Sequence, residues 1–181
     1  MSILNIEIKA KSDNHSEIRE LIKSRNVINK GIDHQIDTYF NVQQGRLKLR
    51  EGNIENYLIH YIREDKEGPK ESEIILFKSE PGATLKEILS KSIGILTVVD
   101  KKREIYFIEN VKFHIDTVQN LGTFIEIEAI DKDGTIGKSK LLKQCEFYLE
   151  LFGISKDDLI SVSYSDLILK NKKEQNNKAG T

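Results

Sequence analysis

The sequence predicts an α+β protein built on an eight-stranded antiparallel β-barrel with flanking helices, and three observations carry that expectation. Apolar and polar residues alternate with period two in eight separate runs, the signature of half-buried strands. The turns between successive runs are short, as at Gln43-Gln44-Gly45, Glu109-Asn110 and Asn120-Leu121-Gly122. Consecutive strands joined by tight turns pair antiparallel, and about eight strands are enough to close a barrel. The runs fall at residues 3–11, 34–42, 46–50, 56–63, 72–78, 96–108, 111–118 and 123–130. In the first, Leu4, Ile6, Ile8 and Ala10 share one face, and Asn5, Glu7, Lys9 and Lys11 share the other.

Three segments switch to helical spacing. Ile18, Leu21 and Ile22 form a stripe after the capping candidates Ser12, Asp13 and Asn14. Thr84-Leu85-Lys86-Glu87 reads as a capping box ahead of Ile88 and Leu89, with Gly94 as the stop. Leu141, Leu142, Cys145, Leu149 and Phe152 line a third helix that ends at Gly153. Ser155 to Asp158 can cap a further short turn before residues 164–169. The stretch 66–71, with Gly68 and Pro69, reads as a surface loop. Residues 1–169 are expected to form one domain, followed by a disordered polar tail at 170–181.

Composition excludes several classes. A chain of 181 residues suits one domain with a sizeable core. With 31% charged and 38% apolar residues it matches neither a membrane protein nor a disordered one. No apolar run reaches the roughly 20 residues of a membrane span. Glu7, Lys9 and Lys11 interrupt the apolar stretch that a signal peptide needs, so a cytoplasmic domain without a membrane partner is expected. A single cysteine, Cys145, excludes an internal disulfide framework and a Cys-rich zinc site. A net charge of −1 gives no case for a nucleic-acid partner.

The distribution of charge matters more than its sum. On the polar sides of the strands lie nine bases, Lys9, Lys11, Arg46, Lys48, Arg50, Arg63, Lys101, Arg103 and Lys112, against four acids, Glu7, Asp116, Glu126 and Glu128. That set carries +5, so the rest of the chain carries −6. If the sheet closes with these faces inward, the interior is a channel of positive potential that suits a polyanion. Glu126 and Glu128 share one face of one strand, and carboxylates beside a polyanion are the usual way to hold Mg²⁺ or Mn²⁺. The alternative turns the same groups outward as cross-strand ion pairs.

Other candidates are weaker. His114 shares a face with Asp116 and could act as a general acid or base, but a histidine hydrogen-bonded inside the barrel is the favoured reading. His15, His34 and His60 have no ligand-like spacing. Cys145 sits on an apolar helix stripe as a core residue. Tyr39, Tyr57, Tyr61 and Tyr106 could stack on a base or thiazole ring, although strand aromatics mostly serve packing. Glycine-rich phosphate loops are absent.

From Asn5-Ile6-Glu7-Ile8-Lys9 onward the sequence resembles the CYTH family of class IV adenylyl cyclases and thiamine triphosphatases, the triphosphate tunnel enzymes. Matches follow in order at Gln35-Ile36-Asp37-Thr38-Tyr39-Phe40, Arg46-Leu47-Lys48-Leu49-Arg50, Arg63 and Lys101-Lys102-Arg103-Glu104-Ile105-Tyr106. His114-Ile115-Asp116 and the run from Leu121 to Glu128 complete the series. The resemblance implies a barrel that binds a triphosphate and a Mg²⁺ or Mn²⁺ ion. It implies that Glu7, Asp116, Glu126 and Glu128 ligate the metal, and that Lys9, Lys11, Lys48, Arg50, Arg63, Lys101 and Arg103 cradle phosphate. Glu7, Lys9, Glu126 and Glu128 are the implied catalytic set. A homodimer is implied by the class IV cyclases. One position departs from the pattern: the first glutamate of the Glu-x-Glu-x-Lys signature is Asn5 here, whose amide can ligate a cation but brings no charge.

Three functions follow as expectations. The first is an adenylyl cyclase that turns ATP into cyclic AMP and pyrophosphate. The second is a triphosphatase acting on inorganic triphosphate, thiamine triphosphate or a nucleotide. The third, kept open by Asn5, is a tunnel that binds polyphosphate or nucleotide without turnover.

Overall fold

The computed structural model describes residues 3–63, 68–80 and 82–179. Eight strands form a closed antiparallel barrel in the order β1-β5-β4-β3-β2-β6-β7-β8. Their bounds are β1 Ile3–Lys11, β2 Ile28–Phe40, β3 Arg46–Glu51, β4 Tyr57–Arg63, β5 Lys70–Lys78, β6 Ile95–Ile108, β7 Val111–Val118 and β8 Gly122–Asp131. Helices α1 (His15–Lys23), α2 (Ala83–Ile93), α3 (Lys138–Leu151) and α4 (Tyr164–Ala179) surround it, with a 3₁₀ turn at Lys156–Asp158. The barrel closes where β1 pairs with both β5 and β8, so that Glu7 faces Lys70 on one side and Glu128 on the other.

The barrel is polar inside and apolar outside along one wall. Ile6, Ile8 and Ala10 of β1 join Phe113 and Ile115 of β7 and Ile125, Ile127 and Ala129 of β8 in one buried cluster. Ile18 and Ile22 of α1 and Leu141, Cys145 and Tyr148 of α3 cover that cluster from outside. The Phe113 ring meets Tyr148 edge-on at 4.6 Å between centroids. Period-two alternation therefore does two jobs, sending apolar side chains to the helices and ionised ones to the lumen. Among the described residues no helix is long and apolar enough to cross a membrane.

Several boundaries differ from the sequence expectation, each for a local reason. Strand β2 begins at Ile28, six residues before the expected start at 34. A register shift between Asn29 and Gly31, with Gly31 at φ +104°, breaks the alternation and hides the first part of the strand. Strand β5 begins at Lys70, within the expected loop at 66–71, and residues 66 and 67 of that loop lie outside the described residues. The capping box at Thr84 does not form: α2 starts at Ala83 after Gly82, without a side-chain cap, and Glu87 instead accepts Lys91 Nζ at 2.6 Å. Ser155 and Asp158 do form their capping box. The expected disordered tail is helical through Ala179, because α4 is seeded by a buried first turn and continues through the good helix formers Lys170, Lys172, Lys173, Glu174 and Gln175. Residues 180 and 181 lie outside the described residues.

Candidate active site

A cavity of about 290 Å³ runs inside the barrel. The inward positions of the strands supply its walls, and the expected set comes together there: Glu7 and Lys9 from β1, Lys48 and Arg50 from β3, Arg63 from β4, Lys101 and Arg103 from β6, and Glu126 and Glu128 from β8. Three of the residues expected to face inward do not line it, among them Arg46, which lines a second cavity and pairs with Asp166. Lys11 is exposed at the end of β1, beyond the last inward position of that strand. Asp116 has the inward parity but is fully buried under Arg103 and Tyr164, its carboxylate accepting Arg103 Nε at 2.7 Å, Arg103 Nη2 at 2.5 Å and Tyr164 Oη at 2.8 Å. It positions Arg103, and both of its oxygens are taken by these donors.

The basic side is organised by two acids that the sequence reading did not assign. Asp37 of β2 accepts Lys48 Nζ at 2.8 Å, Lys101 Nζ at 2.7 Å, and Arg50 through Nε at 2.9 Å and Nη2 at 3.0 Å. Burial alone would raise its carboxyl, but Arg50, Lys101 and Lys48 hold it well below the usual range. Burial, with Arg50, Arg103 and Lys48 nearby, pushes the Lys101 ammonium down to about 7 despite the pull of Asp37. Glu55, on the turn between β3 and β4, accepts Lys112 Nζ at 2.7 Å and Arg50 Nη1 at 2.9 Å. Asp33 fixes that turn by accepting the backbone N–H groups of Ile54 and Glu55 at 2.9 and 3.0 Å. Eight bases and five acids line the cavity, a +3 balance in place of the expected +5: Asp37, Glu55 and Lys132 join the lining, and Lys11, Arg46 and Asp116 leave it. The alternation through Tyr39 was the available signal for Asp37. For Glu55, a turn residue, there was none.

The acidic side gathers on β1, β7 and β8. Glu126 accepts Lys9 Nζ at 3.0 Å, Arg103 Nη2 at 2.6 Å and His114 Nδ1 at 3.0 Å. Burial would raise its carboxyl, yet Arg103, Lys9 and His114 hold it well below the usual range. Burial, with Arg103 and Lys112 adding to it, lowers His114 to about 3, so the ring is neutral and its Nδ1–H is assigned as donor to Glu126. This agrees with a hydrogen-bonded histidine inside the barrel. Glu7 accepts Arg63 Nη1 at 2.7 Å. Burial, with Glu126 and Glu7 nearby, raises Glu128 to about 7, against the pull of Lys112.

One atom each from His114, Glu126 and Glu128 lies within 4.8 Å of the others. Asn5 also lines the cavity, and its Oδ1 is buried without a hydrogen-bond partner. Three carboxylates, of which Glu128 is raised by burial and then by Glu126 and Glu7, gather here with the unsatisfied Asn5 amide oxygen. This oxygen-rich donor set fits a hard divalent cation.

The two ends of the barrel differ. The C-terminal end of β1 and the N-terminal end of β8 are covered by Tyr164, whose ring lies 4.9 Å from Phe124 and has Lys9 Nζ 4.1 Å from its centroid. The opposite end is lined by Tyr57, Ile74, Leu76, Phe107 and Ile130, with Lys132 and the Lys112–Glu55 pair beside them. A polar channel with a closed, cationic end and an apolar mouth is the geometry of the site.

The family model for the CYTH domain matches residues 4–164. The chain belongs to the CYTH domain family. This CYTH chain is 30% identical to a Methanocaldococcus jannaschii protein described as a candidate adenylate cyclase, over 91% of this chain and 98% of that one. Its fold is similar to that of the PH1012 protein from Pyrococcus horikoshii OT3, with a TM-score of 0.74 at 24% identity, over 90% of this chain and 98% of the other. It is also similar to a Hippeastrum protein described as a candidate adenylyl cyclase with a dominant triphosphatase activity. That match has a TM-score of 0.59 at 14% identity and covers 96% of both chains.

Proposed function

We propose that this protein is a metal-dependent enzyme acting on a nucleoside triphosphate inside the barrel, as an adenylyl cyclase that converts ATP to cyclic AMP and pyrophosphate. The observation that carries the reading is the polarity of the cavity along its length: a dense cationic interior with a carboxylate cluster, opening into an apolar mouth. Inorganic triphosphate would use the first part only, whereas a nucleotide uses both. The name of the Methanocaldococcus relative points the same way.

In this reading Lys48, Arg50, Lys101 and Arg103 grip the phosphate chain, with Lys9 and Arg63 nearer the closed end. Arginine contributes forked contacts and lysine compact point charges. Glu7, Glu126 and Glu128 would hold Mg²⁺ or Mn²⁺, with Asn5 Oδ1 as a further oxygen donor. When bound, the ion neutralises charge developing on the phosphate and favours ionisation of an attacking hydroxyl. The ribose 3′ oxygen attacks the α-phosphorus in line, its proton is lost to water, and the bond to the β-phosphate breaks to release pyrophosphate. Tyr57, Leu76, Phe107 and Ile130 hold the nucleoside so that this hydroxyl, rather than water, is in place.

A second reading is a triphosphatase in which water attacks the terminal phosphorus within the same basic cradle, the activity that the Hippeastrum protein's description gives as dominant for that protein. Asn5, which lowers the charge of the metal-binding set, keeps open a tunnel that binds without turnover. The test is incubation with ATP, inorganic triphosphate and thiamine triphosphate, each with Mg²⁺ and with Mn²⁺. Cyclic AMP, pyrophosphate and orthophosphate are quantified separately. Cyclic AMP and pyrophosphate in equal amounts are expected. Orthophosphate without cyclic nucleotide moves the assignment to triphosphatase, and tight ATP binding with no product makes the tunnel a non-catalytic binder.

A further inference from the structure

We infer that Tyr164 is a specificity-determining residue that sets how many phosphates fit between the closed end of the barrel and its apolar mouth. This rests on the proposed nucleotide reading and adds the length of the phosphate chain to it.

The segment around Tyr164 is fastened to the barrel rim at many points. Leu159 bridges Ala10, and the Ile160 N–H donates to Lys9 O at 2.8 Å. Lys70 Nζ, buried in the wall, donates to Ile160 O at 2.5 Å. Tyr164 Oη donates to Asp116 of β7, and Asp166 pairs with Arg46 of β3 at 3.1 Å. Ser163 ties the start of α4 to itself, its N–H and Oγ both donating to Asp166 Oδ2. The Tyr164 ring is 4% exposed, packed on Phe124 of β8. Anchors on β1, β3, β5 and β7, with packing on β8, hold the ring across the lumen rather than beside it.

This ring forms part of a partition between two cavities. Tyr39, Ser163 and Tyr164 bound the main cavity, while Tyr39, Ser165 and Asp166 bound a second one beyond it. Lys9 lies against the inner side of the partition, and Arg46, paired with Asp166, lines the second cavity. The buried Tyr164 ring, tethered to Asp116 and packed on Phe124, is what bounds the channel at this end. With the nucleoside seated in the mouth, an extra phosphate must either displace Tyr164 or lift the nucleoside out of its apolar contacts.

The experiment compares binding of ATP and adenosine 5′-tetraphosphate by titration calorimetry with Ca²⁺, a hard cation for the same oxygen donors. The wild-type protein should favour ATP by about tenfold, the worth of one charge-assisted contact. Tyr164→Ala should erase or reverse that preference, and Tyr164→Phe, which keeps the ring but loses the bond to Asp116, should retain it. Tyr164→Leu, which keeps apolar contact with Phe124, should relax the preference in part and serves if the alanine variant does not fold. Equal wild-type affinity for the two nucleotides, or equal relaxation in the phenylalanine and alanine variants, overturns the inference while leaving the nucleotide reading intact. A wild-type protein that binds neither nucleotide overturns both.

Discussion

The wall formed by β1, β7 and β8 and the wall formed by β2, β3, β4, β5 and β6 line the same cavity but are built differently. The first presents Glu7, His114, Glu126 and Glu128 inward and is backed outside by α1 and α3 over a closed apolar core. The second presents Lys48, Arg50 and Arg63 inward, while Ile62, Ile75 and Phe77 stand exposed on its outer face. Carboxylates set side by side repel, and a rigid backing keeps them converging. The basic side is held from within, with Asp37 and Glu55 as counter-ions to four cations. The acidic wall is therefore shaped by packing and the basic wall by charge, and substitutions should separate the two.

The largest effect is expected on the acidic wall. Glu126→Ala and Glu128→Ala should each lower metal-dependent turnover by about a hundredfold or more, since even outer partners of metal ligands cost 10–100-fold. Glu128→Ala should leave the melting temperature unchanged or higher, because it relieves crowding with Glu126 and Glu7 while the backing core is untouched. Turnover over a metal titration, beside a thermal melt, measures both. Wild-type rates in either variant would remove that residue from the ligand set.

On the basic wall the effect should fall on stability. Asp37→Asn strips the shared counter-ion from Lys48, Arg50 and Lys101, and breaking a buried ionic cluster costs about 3–5 kcal/mol. Inorganic triphosphate should restore more stability to this variant than to the wild type, because the anion replaces the missing carboxylate. Melting curves with and without triphosphate decide it. A variant that melts like the wild type would mean that Asp37 does not hold this wall together.

The two walls were not equally legible in the sequence. Period-two alternation is local, so it correctly assigned Glu7, Lys9, Lys48, Arg50, Arg63, Lys101, Arg103, Glu126 and Glu128 to one lumen. The order of family matches then gave the closed barrel. What escaped lies where alternation stops carrying information. Glu55 reaches the lumen from a turn, Gly31 shifts the register of β2, and Tyr164 arrives from a helix about 30 residues after the last strand. Lys11 has the right parity but lies past the rim, and Asp116 has it but is taken up by Arg103 and Tyr164. Parity names a face; it does not say how far along the barrel a residue sits or who already occupies its oxygens.

Asn5 gives a sharper comparison within the acidic wall. Asn5→Glu restores a carboxylate to an inward position two residues from Glu7 and should tighten apparent metal affinity by about tenfold, one added charge-assisted contact. Mg²⁺ and Mn²⁺ titrations of both forms provide the check. An unchanged or weaker midpoint would show that position 5 does not face the ion.

The smallest expected effect is a fraction of one proton, and it belongs to the basic wall. Burial and three cationic neighbours, against the pull of Asp37, hold the Lys101 ammonium down at about 7. At pH 8 most of it is then neutral, whereas at pH 6 it is already charged. A bound polyanion favours the charged form and raises its pKa. Triphosphate binding at pH 8 should therefore take a proton up, and at pH 6 Lys101 should add almost nothing. Calorimetry in buffers of different ionisation enthalpy, without metal so that Glu128 does not release protons of its own, reads the uptake directly. Lys101→Met supplies the background from the ligand and all other groups. If the two proteins take up the same number of protons at pH 8, Lys101 is charged before the anion arrives, and the basic wall is a preformed cradle rather than one completed by its ligand.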